Sequence, residues 1–308
     1  MRVVLLAGGG GGARFARGLA DALPAGDLTV VGNVGDDVEI LGLHVSPDLD
    51  SLLYTLAGLI DDERGWGRAG ETWSALEAAG EWGGEDWFRL GDLDVGIHLV
   101  RTQRLREGAL LSEVTAELTA RRVLATSILP ATDDRLRTWV ETPAGTFPFQ
   151  EWYVGRGHRD EVTGVSYEGA SDAGPAPGVL AALAEAEAIL FAPSNPYLSL
   201  GPILAVQAIR STIAARRSSL GVRCVAVSPL VGGKAVSGPL DRMLRRMAGG
   251  TTPEHVARSY EGLIDALVID EADAPAEASV ALVAAKTLMR DRASERRLAE
   301  TVLGVACG

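Results

Sequence analysis

The sequence predicts an α/β fold: a doubly wound, mostly parallel, Rossmann-like sheet with an α+β insert. Short apolar runs alternate with amphipathic runs, which is typical of βαβ units. The apolar runs that begin at Ala188 and Val222 are nearly continuous, as expected for strands of a sheet covered on both faces. Residues 64–175 lack this pattern and hold all six tryptophans.

The predicted elements divide the chain into a core and an insert. Strands are predicted at residues 2–7, 28–32, 188–192, 222–228 and 267–270. Helices are predicted at residues 13–23, 202–217, 239–247 and 253–263, and residues 277–302 are predicted to be mostly helical. The core is expected to comprise residues 1–63 and 176–308, with the insert at residues 64–175.

The composition narrows the class of protein. The 308 residues are 47% apolar and 23% charged, which is typical of a globular chain. The net charge of −12 argues against nonspecific binding of nucleic acids or membrane surfaces, because such binding needs a basic surface. Cys224 and Cys307 are far apart and form no CxxC motif, which fits a reducing compartment. We therefore expect a cytoplasmic protein that acts on small molecules.

Five consecutive glycines follow the first predicted strand. Glycine lets the backbone approach a phosphate closely, and the helix that is predicted from Ala13 would present free N–H groups to it. The expected phosphate contacts are Gly9, Gly10, Gly11, Gly12 and Arg14. A turn between strand and helix without a ligand is the alternative interpretation.

Three kinds of phosphate ligand could fit this loop. A P-loop triphosphate is disfavoured because no Gly-Lys-Ser/Thr follows the glycines. A dinucleotide is disfavoured because the second strand ends in Gly32 and Asn33, without an acidic residue for the ribose. A nucleotidyl donor fits best, with Asn33 as a further contact.

Carboxylates follow the second strand. Asp36 and Asp37 lie in the loop after it, and Asp48 and Asp50 come one apolar segment later. Grouped carboxylates are suitable ligands for Mg²⁺. The alternatives are that Asp36 and Asp37 belong to a turn and that Asp48 belongs to a helix cap.

Arginines and tryptophans are interleaved in the first half of the insert. Guanidinium groups beside aromatic faces can hold a flat heterocycle with polar groups, although core packing among solvated arginines gives the same pattern. The lone His98 is expected to be structural. The residues of this segment are Arg64, Trp66, Arg68, Trp73, Trp87, Arg89 and Arg101.

Two later strands also end in polar turns. Ser194 and Asn195 follow one strand, and Ser228 precedes a glycine turn with Lys234. Ligands of open α/β sheets bind beyond the carboxyl ends of the strands. These residues are therefore expected to join the glycine run in one site, and the glycine turn before Lys234 could equally be only structural.

Together these segments resemble one family, the CofD/FbiA-type 2-phospho-L-lactate (phosphoenolpyruvate) transferases of deazaflavin coenzyme F-420 biosynthesis. The resemblance covers most of residues 1–270, and it departs from the family at Tyr153 and Gly10. The matching stretches are LAGGGGGARFARGL, GNVGDD, SPDLDSLLYTLAG, DDERGWGR, ETW, DWFRLGDLDVGIHLVRTQ, LPATDDR, FQEWYV, APSNPYLSLGPILAV and VSPLVGGKAVSGP.

The resemblance implies a GMP-releasing transfer. A phosphoenolpyruvyl or 2-phospho-L-lactyl group would pass from a guanosine-diphosphate-linked donor to the ribityl hydroxyl of the deazaflavin Fo. Asp36 and Asp50 would hold Mg²⁺, with Asp50 also as general base and, with Arg89, as a contact to Fo. Trp87 and Arg64 would complete the acceptor site, and the enzyme would be a homodimer. The donor would bind the glycine run, Arg14, Asn33, Ser194, Asn195, Ser228 and Lys234.

Two rival functions share parts of this pattern. The opening glycines are similar to those of sugar-1-phosphate nucleotidyltransferases, but Phe15, Ala16 and Arg17 stand where that family has a lysine-bearing segment. A nucleotide-sugar-binding regulatory protein could share the core. It would not need the Trp/Arg segment, which favours the enzyme.

Overall fold

The computed structural model describes residues 1–308 apart from the side chain at position 220. The strands are β1 (Val3–Ala7), β2 (Leu28–Gly32), β3 (Val38–Ile40), β4 (Leu43–Val45), β5 (Ser127–Pro130), β6 (Arg137–Thr142), β7 (Gly145–Pro148), β8 (Gly164–Glu168), β9 (Ala188–Phe191), β10 (Arg223–Val227), β11 (Leu230–Val231), β12 (Lys234–Ala235), β13 (Ala266–Asp270) and β14 (Ala281–Ala285). The helices are α1 (Gly9–Ala22), α2 (Pro47–Leu56), α3 (Ser74–Glu81), α4 (Asp92–Arg106), α5 (Leu111–Arg121), α6 (Val179–Glu185), α7 (Gly201–Ala205), α8 (Gln207–Leu220), α9 (Leu240–Met247), α10 (Pro253–Arg258) and α11 (Arg292–Cys307). A π-helical turn spans Glu151–Gly155, and a 3₁₀ turn spans Glu271–Asp273.

Seven strands form the central sheet in the order β14-β13-β10-β9-β1-β2-β5, and every pair in it is parallel. The chain builds outward from β1 to β5, then returns to the other side of β1 and builds outward again. The strand order therefore reverses between β1 and β9, where ligands of doubly wound sheets bind. This confirms the predicted fold class.

The central strands are buried because helices cover both faces of the sheet. All residues of β1, β9 and β13 are buried, which explains their continuous apolar sequence. Helix α1 packs against α2 and α11, and α6 packs against α8. The carboxyl ends of the strands are left free to carry polar residues.

The prediction of a mostly helical stretch over residues 277–302 was wrong in its first half, because α11 begins only at Arg292. Residues 281–285 were expected to be helical, but they form β14, which pairs with β13 along its whole length. Alanine favours a helix locally, yet a strand in this position satisfies the backbone groups of the edge of β13. Tertiary pairing outweighed local propensity here.

The predicted insert contributes to the core sheet. Within residues 64–175, β6, β7 and β8 form an antiparallel sheet in the order β7-β6-β8, which is the expected α+β character. However, β5 pairs with β2 in the central sheet. The division into core and insert stays a prediction with this exception. In the part of the chain that the structure describes, no helix is long and apolar enough to cross a membrane.

Candidate active site

The glycine run and the segment after β9 meet at the carboxyl edge of the sheet. The Ser194 hydroxyl donates a hydrogen bond to the carbonyl oxygen of Gly8 over 2.6 Å. A Cβ atom on Gly12 would lie 2.8 Å from Ser194 Oγ, so glycine is required for this close approach. The structure thus brings together two of the predicted donor-binding segments.

Residues Gly9 to Gly12 form the first turn of α1, not a separate loop before it. Gly9 has a φ of +71°, a conformation that side-chain-bearing residues rarely adopt. Its N–H donates to Oδ1 of Asp48 over 2.7 Å. A carboxylate of the protein therefore lies at the N-terminus of α1, where the helix dipole and free N–H groups favour an anion.

Asn33 connects this carboxylate to the loop after β2. Its fully buried side chain donates from Nδ2 to Asp48 Oδ2 over 2.9 Å and to Asp36 Oδ1 over 3.3 Å. Its Oδ1 accepts from the backbone N–H of Gly35. The side chain of Gln150 donates to Asp36 Oδ2 over 3.4 Å. We call Asn33, Asp36, Asp48 and Gln150 the carboxylate cluster.

The carboxylate cluster carries more negative charge than its hydrogen bonds balance. Burial, and then the charges of Asp48 and Asp37, raise the pKa of Asp36 well above its usual value. Burial raises the pKa of Asp48 to about 6. A cation would relieve both effects, so the donor set fits Mg²⁺. Among the described residues, no three His, Cys, Asp or Glu side chains already converge as metal ligands.

Removing the Asp48 charge is expected to change how stability depends on pH. A carboxyl group whose pKa is higher in the folded than in the unfolded protein stabilises the fold at a pH below the unfolded-state pKa. This contribution is lost as the pH rises through the folded-state pKa. The stability of Asp48→Asn relative to the unaltered protein should therefore grow by about 2–3 kcal/mol between about pH 4 and about pH 7. Urea unfolding without divalent cations would measure it. The exposed control Asp86→Asn should show no such trend, and parallel curves for Asp48→Asn would contradict the burial of the charge.

The side chain of Asp50 has different partners from that of Asp48, although the two residues are only two positions apart in the chain. Residues two apart on a helix face different directions. Both Nη atoms of Arg101 donate to the Asp50 carboxylate, which is buried. Nδ1 of His98 lies 3.7 Å from the same carboxylate, and burial lowers the pKa of this histidine to about 4. The predicted metal role of Asp50 thus requires Arg101 to give way.

The predicted acceptor segment is held together by cation–π contacts. The ring of Trp73 lies between two guanidinium groups, with Arg64 Cζ at 5.0 Å and Arg89 Cζ at 4.8 Å from its centroid. Arg64 also pairs with Asp61 over 2.9 Å, whereas Arg89 is exposed. Trp87 contacts the π-helical turn at Gly155. Two of the predicted acceptor residues, Arg64 and Arg89, therefore meet at the ring of Trp73.

The other predicted donor residues have local structural contacts. Oδ1 of Asn195 accepts from the backbone N–H groups of Tyr197 and Leu198, and Ser228 Oγ accepts from the N–H of Leu230. Lys234 is exposed on the short strand β12. Arg14 donates weakly to the carbonyl of Met289 over 3.4 Å. Their roles toward a donor stay predictions.

Comparisons with known proteins identify the family. Residues 3–303 match the family model described as 2-phospho-L-lactate transferase CofD. A phosphoenolpyruvate transferase of Kitasatospora aureofaciens is 45% identical over 318 residues, which cover 99% of this chain and 98% of that protein. One from Thermobifida fusca is 44% identical over 290 residues, which cover 89% of this chain and 88% of that protein. A crystal structure of a UPF0052 family protein from Bacillus halodurans shares the fold, with a TM-score of 0.62 and 17% identity over 98% of both chains.

The fold and site define a Rossmann-like α/β enzyme with an anion-binding helix N-terminus beside buried carboxylates. The chain belongs to the CofD family of transferases. This confirms the family that the motifs predicted. The names of the similar proteins favour a transferase over the two rival functions.

Proposed function

We propose that the protein transfers a phosphoenolpyruvyl group from a guanosine-diphosphate-linked donor to the ribityl hydroxyl of Fo, in coenzyme F-420 biosynthesis. The names of the similar proteins favour the phosphoenolpyruvyl group, and a 2-phospho-L-lactyl group is the alternative. The hydroxyl oxygen forms a bond to the phosphorus that carries the acid. The bond from that phosphorus to the GMP phosphate oxygen breaks, and GMP leaves.

The observation that carries this proposal is the carboxylate at the N-terminus of α1. Asp48 accepts from Gly9 over 2.7 Å, so one N–H group of this turn already holds an anion. A diphosphate would exchange with Asp48 and gain the same donor. Ser194 keeps the glycine turn in place through its bond to Gly8.

A divalent cation would bind next to the donor diphosphate. Asp36 is the proposed ligand with the better local support, because its charge is buried beside Asp48. Asp50 is the second, once Arg101 releases its carboxylate. When bound, Mg²⁺ would neutralise the charge that develops on the departing phosphate. Asp50 would also accept the proton of the Fo hydroxyl once Arg101 releases its carboxylate.

The acceptor would lie on the Trp/Arg segment. Arg89 is exposed and stacks on Trp73, so its guanidinium is free to turn toward a ligand. Arg64 contacts the same ring, and Trp87 lies two residues before Arg89 in the chain. A flat deazaflavin ring matches these side chains because guanidinium and indole groups both stack on aromatic planes. A cytoplasmic location and a homodimeric state remain predictions.

Replacing Arg89 by alanine should separate the two substrates. We expect Arg89→Ala to weaken Fo binding about tenfold, which is the loss of one exposed stacking or charged contact, and to leave GDP binding within twofold. Calorimetry with Fo and with GDP would measure both, with the exposed and remote Arg122→Ala as control. Equal losses for the two ligands would contradict the acceptor assignment. Failure of the unaltered protein to bind GDP, together with tight NAD binding, would overturn the donor class.

A further inference from the structure

One region of the protein has a concentration of buried polar atoms without partners. Of the twelve buried side-chain nitrogen and oxygen atoms that lack a hydrogen-bond partner among the described residues, six lie on α2, α4 and the segment between α2 and α3. Five of these remain when Arg101 Nε, whose guanidinium pairs with Asp50, is set aside. Such atoms are rare in folded proteins, because each costs about 1–3 kcal/mol. The five are the Tyr54 hydroxyl, Arg64 Nε, Arg68 Nε, Trp73 Nε1 and Asp94 Oδ1.

These atoms belong to one connected group of side chains, which we call the unpaired cluster. The Arg64 guanidinium lies over Trp73 and donates to the carbonyl of Arg68 over 2.6 Å. The Arg68 guanidinium lies 5.8 Å from the ring centroid of Tyr54 and donates to the carbonyl of Leu93, which precedes Asp94. Tyr54 and Asp94 are 3% and 8% exposed. The cluster therefore runs continuously from Trp73 to Asp94.

We propose that the unpaired cluster recognises the imide edge of the deazaflavin ring, an inference that rests on the proposed function. This edge has two carbonyl acceptors and one N–H donor between them. The cluster offers N–H donors from Arg64, Arg68 and Trp73 and one carboxylate acceptor from Asp94. Guanine has one carbonyl acceptor, one ring N–H donor and one amino donor on its corresponding edge, so it accepts fewer hydrogen bonds there than the imide does. The cluster thus suits the acceptor substrate better than the guanylyl donor.

The segment that carries these donors lies over Asp94. It joins α2 to α3, and its backbone has positive φ at Gly65 and Gly67, which glycine adopts without strain. A Cβ atom on Gly67 would lie 3.9 Å from Asp94 Oδ2, so the segment lies directly over this carboxylate. Asp94 is held at the N-terminus of α4, where Glu71 accepts from its backbone N–H over 2.9 Å. The acceptor atom is therefore held beneath the segment that carries the donors.

The test compares Fo with an Fo analogue that is methylated on the imide nitrogen. The unaltered protein should bind the analogue at least about tenfold more weakly, because Asp94 loses its partner and meets a methyl group. In Asp94→Ala the difference between the two ligands should fall below about twofold. The control Asp86→Ala, at an exposed position, should keep the full difference.

The possible results distinguish the role of the unpaired cluster from the proposed transfer reaction. Equal binding of Fo and the methylated analogue by the unaltered protein would overturn the role of the unpaired cluster while leaving the transfer itself intact. If Asp94→Ala still prefers Fo over the methylated analogue as strongly as the unaltered protein does, the role of the unpaired cluster is also overturned. No binding of Fo at all would overturn both this inference and the proposed function. The comparison in the unaltered protein needs no variant, so misfolding of Asp94→Ala would not prevent a decision.

Discussion

Replacing Asp50 by asparagine should lower the rate of transfer by at least about a hundredfold, the loss expected when a general base or metal ligand is removed. Asparagine keeps the shape of the side chain and can still accept from Arg101, but it is neutral and a poor proton acceptor. Steady-state turnover and its dependence on Mg²⁺ concentration would measure the loss. Turnover within threefold of the unaltered enzyme would contradict both roles.

Because Asp50 pairs with Arg101, a variant of Asp50 can change stability as well as catalysis. Asp50 and Arg101 form a buried ion pair, and removing one partner of such a pair costs about 3–5 kcal/mol. Asp50→Ala would therefore confuse lost chemistry with lost stability. The double variant Asp50→Leu with Arg101→Met removes both charges, so it should fold and remain inactive. An active double variant would show that Asp50 only stabilises the fold.

Replacing Arg17 by methionine should also cause a large loss of stability, about 3–5 kcal/mol. Arg17 on α1 donates from Nε and Nη2 to the two carboxylate oxygens of Glu295 on α11, each over 2.7 Å, and Glu295 is 1% exposed. The variant leaves this carboxylate buried and unpaired. Denaturant unfolding would measure the loss.

A double variant and a surface variant serve as controls for this prediction. Adding Glu295→Leu to Arg17→Met removes the second charge and should restore most of the lost stability. Arg292→Met breaks an exposed pair with Asp21, which should cost less than about 1 kcal/mol. An Arg17→Met variant that is as stable as Arg292→Met would contradict the importance of the buried pair between α1 and α11.

The sequence predicted those parts of the site that depend on strand order. The glycine run and Ser194 each follow a buried strand, and parallel strands place their carboxyl ends at one edge. The meeting of Gly8 and Ser194 could therefore be expected. The first turn of α1 was placed four residues too late, because five glycines in a row give no local signal for a helix.

Contacts between distant segments could not be predicted in the same way. Asp48 follows Ser46 and Pro47, a pattern that resembles a helix start, but its carboxylate bonds Gly9, 39 residues away. Arg101 is 51 residues from Asp50, and nothing in either local pattern indicates the pair. Gln150 and Asp94 were not singled out. A buried amide and a carboxylate in the first turn of a helix both have ordinary structural explanations.

The most direct test of the transfer is mass spectrometry of the products formed from Fo. The purified enzyme would be incubated with Mg²⁺, Fo and the guanosine-diphosphate-linked phosphoenolpyruvyl donor, and in parallel with the phospholactyl donor. The proposal predicts that Fo gains the phospho-acid and that one GMP is released for each Fo consumed, with the phosphoenolpyruvyl donor preferred. Unchanged Fo with both donors, or release of GDP in place of GMP, would contradict it.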